Sequence, residues 1–178
     1  MATRKVEIGP SGETARANIA RIRRDRGITL RELSQQMSEG DRPLSYPTLS
    51  QIETGARRID VDDLVALAIA LDVSPNTLLI PQAENLDDEV TLTNAQSISL
   101  KDAWYFFMGM RSLHGRSGNI DFATNSLPAH LGRGARWSVS SARTQEPPVL
   151  SLQMETDGST VKWRTGVGTA SIFNDEDE

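Results

Sequence analysis

Apolar residues recur with helical spacing from residue 13 to residue 80 and lose that spacing afterwards. Ala15, Ile19 and Ile22 fall at i, i+4 and i+7, one face of a first helix. Arg16, Arg21 and Arg24 lie largely outside that stripe, and Gly27 ends it. Thr29 is a ready N-cap for a second helix, and Glu32, three residues on, completes a capping box. Leu30, Leu33 and Met37 mark its inner side. Ser45 caps a third helix whose Pro47 sits in the first turn, where a missing N–H is harmless. Leu49 and Ile52 face inward there, and Gly55 stops it. Asp60 with Asp63 opens a fourth helix carrying Leu64, Leu67, Ala68 and Leu71. Ser74-Pro75 opens a short fifth through Leu78 and Leu79, closed by Pro81. The expected fold class is all-α, with five helices in residues 13–81.

The pattern weakens beyond Pro81. Residues 82–97 are polar and acidic and read as a linker. Residues 98–110 predict one further helix, with Trp104, Phe107 and Met108 at i, i+3 and i+4. From Thr91 onward lie eight of the thirteen glycines and three of the eight prolines, so residues 111–178 are expected to be a largely irregular, Gly/Ser-rich region of low order. Within it, Val149-Leu150-Ser151-Leu152 and Val161-Lys162-Trp163 around Thr156-Asp157-Gly158-Ser159 read either as a hairpin or as chance patches in a flexible tail. Residues 1–12 read as a flexible basic arm.

Composition narrows the partners. The 178 residues carry 19 Lys plus Arg against 24 Asp plus Glu, a net charge of −5, which argues against indiscriminate coating of nucleic acid. That total hides a segregation. Residues 1–60 hold eleven basic and eight acidic side chains, whereas residues 61–90 hold seven acidic and no basic ones. The chain ends in an acidic tip, Asp175-Glu176-Asp177-Glu178. There is no cysteine, so disulfides and Cys-based zinc sites are excluded. No apolar run approaches the length needed to cross a bilayer and no apolar signal segment opens the chain, so the expectation is a cytoplasmic protein without membrane contact.

At the second and third helices the residues become specific. Gly27-Ile28-Thr29-Leu30-Arg31-Glu32-Leu33-Ser34, then Leu44-Ser45-Tyr46-Pro47-Thr48-Leu49-Ser50-Gln51-Ile52-Glu53-Thr54-Gly55, then Leu64-Val65-Ala66-Leu67-Ala68-Ile69-Ala70-Leu71-Asp72-Val73-Ser74, resemble the lambda repressor and Cro-like (XRE) family of helix-turn-helix proteins. The likeness covers residues 13–81, and is nearest to actinobacterial regulators with a similarly Arg-rich first helix. Two departures stand out. Leu33 to Ser45 spans twelve residues where the family has about seven, so Ser38-Glu39-Gly40-Asp41-Arg42 reads as an insertion that either lengthens the second helix or loops outward. Leu30 stands where many relatives place a Gln that touches the DNA backbone.

The resemblance implies which residues meet DNA. By position, Tyr46, Pro47, Thr48, Ser50 and Gln51 face the major groove, where each base pair shows a distinct donor and acceptor pattern. Gln51 suits an adenine edge, and Tyr46 and Pro47 offer apolar surface to a thymine methyl. Arg57 and Arg58, with Thr29 and Arg31 at the second helix's start, are placed to hold phosphates. Arg4 and Lys5 either reach round the duplex or form a solvated terminus. Arg23 and Glu53 correspond to a structural ion pair that links the first helix to the end of the third.

Catalysis has little to stand on. His114 and His130 have no ligand-like spacing, so no metal and no cofactor are implied. Gly166-Val167-Gly168 does not open a helix, and no triad of Ser, His and Asp is arranged. The expected function is a non-enzymatic, sequence-specific transcriptional regulator, most simply a repressor, acting on double-stranded DNA at the nucleoid as a homodimer. The alternative is a protein-interaction or antitoxin/immunity-type module, with DNA binding secondary and a partner held by the aromatic helix, Trp104, Tyr105, Phe106 and Phe107.

Overall fold

The computed structural model describes residues 7–114, 119–129, 136–140, 149–156, 159–166 and 169–174. Arg4, Lys5, His130 and the acidic tip lie outside the described residues. The chain divides into two compact units, Met1–Met108 and Gly109–Glu178.

The first unit opens with five helices: α1 Pro10–Asp25, α2 Leu30–Met37, α3 Tyr46–Glu53, α4 Val61–Ala70 and α5 Pro75–Leu79. Their caps are local and readable. Ser45 Oγ accepts from Thr48 N, Asp60 Oδ1 accepts from Asp63 N at 2.7 Å, and Ser74 Oγ accepts from Asn76 N at 3.2 Å. Gly55 ends α3 at a φ of 76°, a left-handed conformation that disfavours any side chain. Ile19 and Ile22, Leu33 and Met37, Leu49 and Ile52, and Leu67 and Leu71 converge with Leu44 and Leu78 in one buried core. This is the fold expected for residues 13–81, with α1 starting three residues earlier, at Pro10. Buried Asn18, a polar residue on the apolar side of α1, donates from Nδ2 to Leu78 O at 3.1 Å and Ile80 O at 2.8 Å. It thereby satisfies carbonyls at the end of α5 that the helix itself leaves open.

The inserted turn does not lengthen α2. That helix stops at Met37, and residues 38–42 loop outward. Ser34 Oγ donates to Leu44 O at 2.9 Å across the base of the loop, and Leu44 returns the chain to the core. The excursion is thus closed at both ends before α3 begins.

The linker expected at residues 82–97 requires correction. Strands β1 Glu89–Leu92 and β2 Ala95–Ser99 pair antiparallel there, with Val90 opposite Ile98 and Leu92 opposite Ala95. The acidic composition conceals a period-two alternation that buries Val90 and Leu92 on one face and exposes Glu89 and Thr91 on the other. Asn94, at the turn, takes a φ of 62°, which Asn tolerates better than most residues. The tip rests on the start of α1, where Thr93 N donates to Ser11 Oγ at 3.0 Å. Helix α6, Leu100–Phe107, follows directly, capped by Ser99. Asn76 Nδ2 ties its end to α5 through Phe107 O at 2.7 Å.

The second unit holds helix α7, Asn119–Asn125, and strands β3 Arg136–Ser140, β4 Val149–Thr156, β5 Ser159–Gly166 and β6 Thr169–Asn174. They form an antiparallel sheet in sequential order. The hairpin read around residues 156–159 is β4 with β5, in a register that pairs Leu152 with Trp163 and Thr156 with Ser159. These elements are the regular backbone among the described residues of 111–178, the region expected to be largely irregular.

Candidate nucleic-acid interface

Helix α3 buries Leu49 and Ile52, and that choice turns its other side outward. Tyr46, Pro47 and Gln51 are exposed, with Thr48 and Ser50 half-buried beside them. The five residues read as groove-facing therefore lie around the accessible side of one short helix, from its first residue to its sixth. Thr48 is partly engaged already, since its hydroxyl lies 2.9 Å from Ser45 Oγ within the cap. Tyr46, Pro47 and Gln51 make no comparable local bond.

Arg31 and Tyr46, read as a phosphate contact and a base contact, meet directly. The Arg31 guanidinium stands 5.8 Å from the centre of the Tyr46 ring, a cation–π distance that links the start of α2 to the start of α3. Thr29 forms the full capping box. Its hydroxyl accepts from Glu32 N at 3.2 Å, and its backbone N–H donates to Glu32 Oε2 at 2.7 Å. The hydrogen bond from the Thr29 backbone, and then that with its side chain, holds the Glu32 carboxyl below its ordinary pKa. A carboxylate thus already occupies the start of α2, where the helix would favour an anion.

Thr29→Ala should lower stability by about 1 kcal/mol at neutral pH. Because the Glu32 pKa is lowered on folding, its contribution is complete above the ordinary glutamate range and lost as pH falls through the folded value. The Thr29→Ala penalty should therefore shrink in acid. Thermal melts of both proteins across that range check this, and a pH-independent penalty contradicts it.

Arg23 and Glu53 fasten α1 to the end of α3. Arg23 Nε and Nη2 donate to the two Glu53 oxygens at 2.6 and 2.9 Å, and Nη1 donates to Ile28 O at 2.7 Å. Both side chains are nearly buried, 12% and 9% exposed. The Glu53 hydrogen bond, against the opposing effect of burial, raises the Arg23 pKa above its ordinary value. Arg16 adds a second tie: it pairs with Glu13 and donates from Nη1 to Glu53 O at 3.2 Å.

After Gly55 the chain presents Arg57 and Arg58. Together with Arg16, Gly9, Gly12 and Thr93 they line a cavity of about 330 Å³. Neither arginine is idle. Arg58 Nε donates to Glu7 O at 2.7 Å, and Arg57 Nη2 donates to Asp63 Oδ2 at 2.8 Å. Asp63, read from the sequence only as part of a cap, is fully buried and also accepts from Arg42 Nε at 2.9 Å. Arg42 further reaches Asp60 Oδ2 at 2.5 Å. Sequence reasoning missed this four-residue network, because its contacts join an inserted turn to a helix start 18 and 21 residues away. The available signal was an arginine inside the insertion and a second carboxylate at the start of α4.

Among the described residues, no helix is long and apolar enough to cross a membrane. Residues 19–78 match the family model HTH_3, described as helix-turn-helix. No curated protein and no solved structure matches the chain.

Proposed function

We propose that this chain, whose residues 19–78 match a helix-turn-helix family model, is an XRE-type DNA-binding transcriptional repressor that reads the major groove with the exposed side of α3. The observation that carries the reading is the exposed set Tyr46, Pro47 and Gln51 on a helix whose far end is locked by Arg23 and Glu53. A reading element must be accessible and also rigid. Gln51 addresses an adenine edge, Tyr46 and Pro47 address thymine methyls, and Thr48 and Ser50 fill in between. Arg31, Arg57 and Arg58 hold phosphates on either side, with the Thr29 hydroxyl at the start of α2 and Arg4 and Lys5 reaching round the duplex. The acidic stretch after residue 60 keeps the rest of the molecule off the polyanion. Incubation with fragmented genomic DNA should recover a small set of discrete sites. Uniform recovery across the genome would remove the sequence-specific part of the reading.

The same reading includes a homodimer, since one small module makes few contacts for specific affinity. Two surfaces compete for that role. Trp104, Tyr105, Phe106 and Phe107 on α6 are half-buried within their own unit, whereas Val61, Val65 and Ile69 stand 77%, 42% and 74% exposed on α4. Their spacing of i, i+4, i+8 is self-complementary: antiparallel packing on a second copy sets Val65 on the dyad and Val61 against the partner's Ile69. This favours α4. Ile69→Asp should turn a dimer into a monomer in sedimentation at micromolar concentration and weaken operator binding, while the protein stays folded and its melt loses any dependence on protein concentration. A dimer that survives Ile69→Asp would move the interface elsewhere.

A further inference from the structure

Asp63 is fully buried, yet its carboxylate faces guanidinium groups from two separate parts of the chain. Their grips differ. Arg42 bridges Asp60 at 2.5 Å and Asp63 at 2.9 Å, the N-cap and third residue of α4. Arg57 holds Asp63 by one contact of 2.8 Å and lines the cavity that Arg16 and Arg58 also line; its side chain is 33% exposed and that of Arg42 43%, so the number of contacts and not exposure separates them. If Arg57 leaves, Arg42 still donates to both carboxylates, so Asp63 keeps one charged partner and Asp60 is the exposed end of the bridge. Of the pair, Arg57 is the member able to leave.

We propose that Arg42, carried by the inserted turn, is the standing counter-ion of buried Asp63 that frees Arg57 to hold a DNA phosphate. The proposal rests on the DNA-binding reading above and deepens it. A buried carboxylate stripped of its cation is strongly disfavoured. With Arg42 in place, Arg57 moves its guanidinium to a phosphate oxygen and Asp63 keeps a charged donor. Without Arg42, Arg57 becomes the sole cation beside Asp63 and is trapped there. Arg42 is thus a positioning residue, acting through Arg57, and the five-residue excursion gains a role in the grip on DNA. The turn is suited to it, because Ser34 Oγ closes its base on Leu44 O at 2.9 Å.

The test measures affinity of the full chain for a short random-sequence duplex between about 50 and 200 mM salt. Arg57→Ala should flatten the plot of log affinity against log salt by about one unit, a roughly fourfold difference across that range. Arg42→Gln should flatten it equally although Arg57 is present, and the double variant should lose nothing more. Arg42→Lys, which keeps a cation beside Asp63, should retain the slope. Asp63→Asn in the Arg42→Gln background should restore it, because an amide needs no counter-ion. A purely structural role for Arg42 would not move the slope of a folded protein.

A wild-type slope in Arg42→Gln, with Arg57→Ala flattened, overturns the proposal and leaves the DNA reading intact. A double variant that loses two units also overturns it, since Arg42 then holds a phosphate itself. No salt-dependent binding by the unaltered chain, or an unchanged slope in Arg57→Ala, overturns the underlying reading as well. Circular-dichroism melts establish that each variant is folded at the assay temperature. Should Arg42→Gln not fold, Asp63→Asn decides against Asp63→Asn/Arg42→Gln: equal slopes are expected, and a flatter double variant overturns the proposal.

Discussion

Arg23→Ala is expected to lower the unfolding free energy by about 3 kcal/mol, with a fall in Tm on the order of 10–20 °C for a domain of this size. The magnitude follows from what remains. Glu53 keeps a nearly buried carboxylate after both of its 2.6 and 2.9 Å donors are gone, and Ile28 O loses its donor as well. Arg16 reaches Glu53 only at the backbone carbonyl, so it does not stand in. The raised Arg23 pKa sets the pH dependence: the stabilising charge is fully present below the ordinary arginine value and is lost only as pH rises through the higher folded one. No acidic or neutral pH switches off the arginine side of the pair. Replacing both partners by methionine should recover much of the loss, because no charge is then left stranded. Chemical denaturation of the single and double variants checks this. A single-variant loss below about 1 kcal/mol would place the pair among ordinary surface bridges.

That pair was legible in the sequence because a family resemblance, not the spacing, put Arg23 and Glu53 together. The caps were legible for a different reason. Thr29 with Glu32, Ser45 with Thr48 and Asp60 with Asp63 each act over three residues, a distance at which the sequence itself is the geometry. Contacts over longer separations left no such trace. Asp63 looked complete as a cap partner, and nothing local shows that its carboxylate is buried between Arg42 and Arg57. Asn18 carries no local signal of its partner, since it donates to the end of α5 some 60 residues on. The hairpin at Glu89–Ser99 was hidden by charge, since the acidic run Asp87-Asp88-Glu89 leading into β1 masked the alternation of Val90 and Leu92. For Asp63 and Asn18 the partner lay far along the chain, whereas for the hairpin it was adjacent and only the composition concealed it.

Gln51→Ala is expected to cost about 1–3 kcal/mol at the protein's own operator and little on random DNA. Gln51 is exposed on α3 and belongs to neither the cap nor the core, so its removal should leave the melt unchanged. Arg58→Ala should behave oppositely, weakening all sequences alike and flattening the salt dependence by about one unit of slope. Tyr46→Ala should show both effects, because the Tyr46 ring also supports the Arg31 guanidinium at 5.8 Å. Tyr46→Phe keeps that ring and should retain the phosphate contribution. These patterns separate direct readout from counterion release by the ratio of specific to non-specific affinity, measured at fixed salt. The inserted turn supplies the sharpest challenge. It lies between α2 and α3 and changes how the two helices are joined, although Arg31 over Tyr46 shows their starts still in contact. If Gln51→Ala, Tyr46→Ala and Ser50→Ala all left operator preference unchanged in folded protein, α3 would not be the reading helix. Retained preference in the first alone would instead shift the reading face toward Thr48, whose hydroxyl must then leave Ser45 to reach a base.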